Sequence, residues 1–248
     1  MTSVFRDAIL GSASKRKSRI VLALDFSGPY EKRLASADKV LEATKAEIAA
    51  VKMNHHLLLP FGLSGVQGII SKCNIEGLPL IADLKLNDIE STNLNVADSL
   101  LDFGFSAVIA NPFVGRQEGL GKVIERIHSR GGGMLLLVYM SHAGALEGYG
   151  LGLADGKPLY RVFAERARDW GADGVIVSAK ASDKIAETRE IVGKSCLIFS
   201  PGVGAQGGDA AVGASSGADF LIVGRSITES DDPAKALRTL VFAERPVA

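Results

Sequence analysis

Eight short apolar runs, each followed by polar residues and then a helix-like stretch, constrain this chain more than any other feature. They cover residues 20–24, 50–53, 78–82, 107–110, 134–139, 174–177, 196–199 and 220–223. Their near-continuous hydrophobicity is that of strands buried on both faces, as in a parallel sheet covered by helices. Between them the spacing predicts helices over 30–45, 63–74, 88–103, 119–130, 159–170, 182–191, 208–216 and 233–242. In the third, Ile89, Val96, Leu100 and Leu101 share roughly one face, and Asn87 with Glu90 reads as a capping box at its start. Eight βα units within 248 residues, with strand starts commonly under about 30 residues apart, fit an α/β fold of the (β/α)8 TIM-barrel type. An open doubly wound sheet is the competitor, and the count of eight favours the barrel. No linker or composition break interrupts the pattern, so residues 1–248 read as one barrel domain, with 1–18 a short leader or capping segment.

Composition removes whole classes of function. Lys+Arg and Asp+Glu number 28 each, a zero formal charge that argues against a nucleic-acid or anionic-membrane binder. No uncharged apolar stretch approaches the roughly 20 residues that span a bilayer. The basic cluster at Lys15, Arg16, Lys17 and Arg19 follows the weakly apolar start, the reverse of a secretion signal. Cys73 and Cys196 are too few for a disulfide framework and read as reduced core thiols. The expectation is a cytoplasmic enzyme.

In a barrel the active site lies where the strands end at their C-termini. There the chain places Asp25, then Lys52 and Asn54, then Asp83 and Lys85, then Ser141 and His142. Any one of these is explained as a solvated strand end; four charges from three successive strands are not. Asp83 and Lys85, two apart on a strand, face the same way, and Lys52 is on the neighbouring strand. An alternating Lys–Asp array follows, costly to bury unless every charge is paired. Such an array would keep Lys85 protonated as a general acid, which suits proton delivery to a carbanion. Asp88 at the next helix start is, taken alone, equally a favourable charge on a helix dipole.

A second constellation joins Pro201, Gly202, Val203, Gly204 and Gln206 to Gly224 and Arg225. Loops after the seventh and eighth barrel strands often hold a substrate phosphate, with backbone N–H groups and a guanidinium as donors. The dinucleotide-like spacing of Gly202, Gly204 and Gly207 carries little weight, because no acidic residue ends the next strand. His55 and His56 are adjacent and would point opposite ways on a strand, His128 reads as a helix-surface residue, and Trp170 as packing. No His, Cys and carboxylate set has metal-ligand spacing, and Ser141-His142 lacks a nucleophile elbow. The Gly-rich stretch 141–158 is a candidate lid.

With these residues in order, the chain resembles the orotidine 5′-monophosphate decarboxylase family in its compact microbial form. The likeness runs through Leu22-Ala-Leu-Asp25, Val51-Lys52, Asp83-Leu-Lys85-Leu-Asn-Asp88-Ile89, Met140-Ser-His142, Ser200-Pro-Gly-Val-Gly-Ala-Gln206-Gly-Gly-Asp209 and Val223-Gly-Arg225-Ser-Ile227. The Asp-x-Lys-x-x-Asp element is shared with metal-dependent sugar-phosphate decarboxylases and aldolases, which carry a carboxylate on strand two where this chain has Lys52. Ala143 departs from the proline many members have after Ser-His. The resemblance implies decarboxylation of orotidine 5′-monophosphate to uridine 5′-monophosphate without metal or organic cofactor. It implies that Lys85 stabilises and protonates the carbanion at C6, that Asp83 sits near the departing carboxylate, and that Lys52 and Asp25 hold the ribose. Asp88 would enter the site across a homodimer, with Ile89 and Thr92 beside it. Ser141 would bind the pyrimidine, and the phosphate would fall to Gln206, Arg225, the Gly224 amide and the Pro201–Gly204 turn. A non-catalytic phosphate binder is the alternative of another class, and the costly charge array weighs against it.

Overall fold

A computed structural model describes residues 3–26, 28–203, 213 and 215–240. Among these, eight parallel strands close into a barrel in sequence order: β1 (Ile20–Ala23), β2 (Ala50–Asn54), β3 (Leu80–Leu86), β4 (Ala107–Ala110), β5 (Gly133–Tyr139), β6 (Gly174–Val177), β7 (Leu197–Pro201) and β8 (Phe220–Val223). β8 returns to β1, pairing Val21 with Ile222. The barrel expectation holds because alternation sorts each strand into two cores. Val21, Ala23, Ile81, Ile109, Leu135, Leu137, Phe199 and Ile222 fill the interior. Leu22, Val51, Met53, Val108, Leu136, Val177 and Val223 face the outer helix layer. Both sets are apolar, so periodicity along the sequence is nearly continuous rather than alternating.

The helices are α1 (Val4–Arg16), α2 (Tyr30–Thr44), α3 (His55–Gly65), α4 (Gln67–Ile75), α5 (Glu90–Asp102), α6 (Gly121–Ser129), α7 (Ala145–Gly148), α8 (Leu159–Trp170), α9 (Ser182–Val192), α10 (Arg225–Thr228) and α11 (Pro233–Thr239). α1 packs Phe5, Ile9 and Ala13 against the interior cluster and so stoppers the N-terminal end of the barrel. Ser3 caps it, its hydroxyl accepting from the Arg6 amide at 3.1 Å. The predicted helix over 208–216 falls mostly outside the described residues.

Five local expectations are corrected. The single helix over 63–74 is two, α3 and α4, and α3 is itself kinked at Gly62, whose φ is 63°. His55 and His56 open α3 instead of extending β2, because the Asn54 side chain accepts from the His56 amide at 2.9 Å and caps the helix. Leu78 does not begin β3. Gly77, at φ 65°, ends α4, and the Leu78 amide donates back to the Cys73 carbonyl at 2.8 Å. The Asn87–Glu90 capping box is absent: α5 starts at Glu90 behind Ile89, with no side-chain cap. His128 is not a plain surface residue either. Its Nε2 lies 2.9 Å from Asp173 Oδ2, and Asp173 also accepts from the Met134 amide at 2.7 Å. Cys73 and Cys196 are buried free thiols, and burial pushes that of Cys73 up to about 12.

Candidate active site

The closed end of the barrel leaves its other end, at the strand C-termini, as the place for chemistry. A cavity of about 480 Å³ opens there. Its floor is Ala23, Ile109, Leu137, Ile176 and Ile222, the last interior side chains of their strands. Above this apolar floor stand the charges. Lys52, only 3% exposed, has its Nζ 3.1 Å from Asp25 Oδ1 and 3.0 Å from Asp83 Oδ2. Asp83 Oδ1 in turn accepts from Lys85 Nζ at 2.7 Å. The order in space is Asp25–Lys52–Asp83–Lys85, a continuous alternation of sign across β1, β2 and β3.

Register explains why these four meet. Ala23 pairs with Lys52, and Asn54 with Asp83, so the strand ends rise together around the mouth. Burial penalises the Lys52 ammonium, but Asp83 and Asp25 outweigh it and its pKa is raised above that of an ordinary lysine. Burial likewise opposes ionisation of Asp83, and Lys52 and Lys85 outweigh it, holding the carboxyl below its usual range. The array is therefore fully ionised at neutral pH at its two most buried members. Lys85 has φ 50°, in the left-handed region, at a register shift between β3 and β4. A non-glycine residue there costs about 1–2 kcal/mol. That strain sits at the chain's charged mouth, where functional strain is commonly stored.

The structure places the other expected residues unevenly. Ser141, Pro201, Gly202, Val203, Gly224 and Arg225 line the cavity with the four charges. Gly204 and Gln206 lie outside the described residues. Asp88, Ile89 and Thr92 do not line the cavity of their own chain: all three are exposed, Ile89 by 64%. The Asp88 carboxylate accepts from the Ile89 amide at 2.7 Å. The stretch 141–158 contributes Ser141 to the cavity. Beyond it the chain folds on itself through α7, with Tyr149 packed on Tyr139 and Phe163. Asn54, His56, Met140 and Glu229 also line the mouth. A strand through His55 and His56 would point the two apart, whereas the helix start brings His56 to the mouth. An Asn directly before His-His-Leu-Leu-Leu was the available cap signal.

Comparison with known proteins gives this geometry a lineage. Residues 18–240 match the family model described as Orotidine 5'-phosphate decarboxylase / HUMPS family. The chain belongs to that family. It is 37% identical over 221 residues to the orotidine 5'-phosphate decarboxylase of Pyrococcus abyssi, covering 89% of this chain and 96% of that protein. With the enzyme of that name from Methanococcoides burtonii it shares 33% over 226 residues, 91% of this chain and 97% of the relative. Among solved structures, orotidine 5'-phosphate decarboxylase from Pyrococcus horikoshii OT3 superposes with a TM-score of 0.73 at 33% identity, over 90% of this chain and 97% of that one. The Methanocaldococcus jannaschii enzyme, solved with the inhibitor BMP, gives 0.76 at 26% identity over 90% and 96%. As a member of the orotidine 5'-phosphate decarboxylase / HUMPS family the chain is an enzyme of the carboxy-lyase class. Among its described residues no helix is long and apolar enough to cross a membrane.

Proposed function

We propose that this chain converts orotidine 5′-monophosphate to uridine 5′-monophosphate and CO2, with Lys85 delivering the proton and without a metal. The observation that carries the reading is the Asp25–Lys52–Asp83–Lys85 chain of ion pairs at the mouth of an apolar barrel. The bond from C6 to the carboxylate breaks, its electron pair stays on C6, and CO2 leaves. The Lys85 ammonium, 33% exposed and tethered by Asp83, stabilises that pair and gives it a proton. Solvent then restores the lysine. Stabilising the charge that develops in the transition state, more than repelling the ground-state carboxylate, is the effect assigned to the array.

Lys52 supports the metal-free reading by position. Its ammonium already bridges Asp25 and Asp83, the carboxylates a divalent ion would need, at 3.1 and 3.0 Å. Arg225 and the Gly224 amide are taken as phosphate donors, Asp25 and Lys52 as ribose contacts, and Ser141 as the pyrimidine contact. Gln206 and Gly204, which lie outside the described residues, are likewise assigned to the phosphate. Phosphate capture far from C6 can then fund closure and orientation. Asp88, with Ile89 and Thr92, serves the site of a partner copy in a homodimer; the exposure of all three beside the mouth supports this.

The test is ultraviolet loss of orotidine 5′-monophosphate by purified protein with and without excess EDTA. The expected result is loss unaffected by chelator. Loss abolished by EDTA would overturn the metal-free step. No loss from folded protein would turn the assignment to Mg²⁺-dependent sugar-phosphate chemistry.

A further inference from the structure

Asp25 lies just past the end of β1 and Lys52 near the end of β2, but the backbone after each goes its own way. Past Asp25 the chain turns through Gly28 into α2; past Lys52 it enters α3. One side chain ties the two exits together. Arg33, in the first turns of α2, donates from Nε at 3.1 Å and from Nη2 at 2.8 Å to the Gly28 carbonyl. Its Nη1 donates to the His56 carbonyl at 3.1 Å. Gly28 has φ 83°, a backbone a larger residue adopts only with strain. The His56 backbone is also held through its N–H, which donates to Asn54 Oδ1 at 2.9 Å. Tyr30 and Phe61, with ring centroids 6.1 Å apart, add an apolar contact between the same two helices. Arg33 itself does not line the cavity, whereas Asp25, Lys52, Asn54 and His56 all do.

We propose that Arg33 is a positioning residue: a staple that sets the separation of the β1 and β2 exits and thereby the spacing of these four cavity groups. The proposal rests on the nucleotide reading above, and it links Arg33 to Asp25 and Lys52 rather than to the phosphate donor Arg225. A planar guanidinium is suited to this because its rigid fork presents separate N–H donors to two carbonyls in fixed directions, where a lysine has a single nitrogen on a flexible stem. Misplacement of binding groups by a fraction of an ångström costs rate and affinity without touching the chemistry.

The experiment compares wild type, Arg33→Met and Arg33→Lys by steady-state turnover of orotidine 5′-monophosphate and by thermal unfolding. Each variant is expected to raise KM about tenfold while kcat falls less than about threefold. The second arm places Arg33→Met in Asp25→Ala and Arg225→Ala backgrounds. Its effect should shrink in the first, where one of the four groups it positions is gone, and persist undiminished in the second. Unchanged KM in both single variants overturns the staple, as does equal additivity in the two backgrounds. So does a fall in Tm with normal kinetic constants. Wild-type protein that leaves the nucleotide intact overturns the nucleotide reading and the staple with it, whereas an active wild type beside unaffected variants overturns the staple alone.

Discussion

Lys52 is the residue on which the site's electrostatics turn. Two carboxylates face it at 3.1 and 3.0 Å, and it is almost wholly removed from water. Removing one partner from a buried charge set leaves the others uncompensated, so Lys52→Met is expected to cost about 3 kcal/mol of stability at pH 7. The sign of the pH dependence follows from Asp83. Its native pKa lies below the ordinary 3.8, so its pairing stabilises the fold above that value and is lost as pH falls through the native one. The deficit of Lys52→Met against wild type should therefore be largest near neutrality and narrow below about pH 4. Urea unfolding at pH 7 and pH 3.5 measures it, and a deficit independent of pH would show that lost packing, not charge, is the cause.

At the scale of elements, α1 and β5 meet too closely for even one extra carbon. A Cβ built on Gly133 would collide with Phe5 Cδ1 and lie 2.8 Å from Phe5 Cβ. The second contact is next to the helix backbone, so rotating the phenyl ring does not clear it. Gly133→Ala should lower Tm by about 2–12 °C, corresponding to roughly 1–3 kcal/mol of overpacking. Combined with Phe5→Ala, its effect should be less than additive, because the clash and the ring are one interaction. Scanning calorimetry of the single and double variants decides this. The link from α6 to the start of β6 is electrostatic instead. The hydrogen bond to Asp173 raises the His128 pKa against the opposing effect of burial. Its charged form thus stabilises the fold fully below the unfolded value of 6.5, and that contribution is lost as pH rises through the native value. The Tm gap between wild type and His128→Gln should be wider at pH 5.5 than at pH 9; a gap that widens with pH would refute the ion pair.

At the scale of the whole molecule, β3 and the loop after it divide their charges. Asp83 and Lys85 turn into the cavity of their own chain, while Asp88 stays exposed three residues later. A shared site across two copies makes a distinct demand. Lys85→Ala and Asp88→Ala proteins, each inactive alone, should regain activity on mixing, because one of the two sites in a heterodimer then has both residues. No recovery after subunit exchange has been demonstrated by mass would show that Asp88 acts within its own chain or not at all.

Much of this was legible in the residues themselves. Eight doubly buried strands announce themselves as apolar runs because helices cover one face and the barrel interior the other. Charges at strand ends stand out against such runs, as Asp25, Lys52, Asp83 and Lys85 do. What the residues leave undecided is local and has one cause. Whether Asn54 ends a strand or caps a helix, and whether Leu78 begins a strand or closes α4, depends on which backbone hydrogen bond wins; both outcomes suit the same side chains. The partners of His128 and Arg33 lie 45 and 23 residues away along the chain, and no periodicity encodes such distances. Side-chain chemistry along the chain thus determined the barrel and the identity of its charged residues. Tertiary structure alone decided which of them meet, because barrel closure sets register between strands and turns sequence neighbours such as Asp83 and Asp88 into residues with different surroundings.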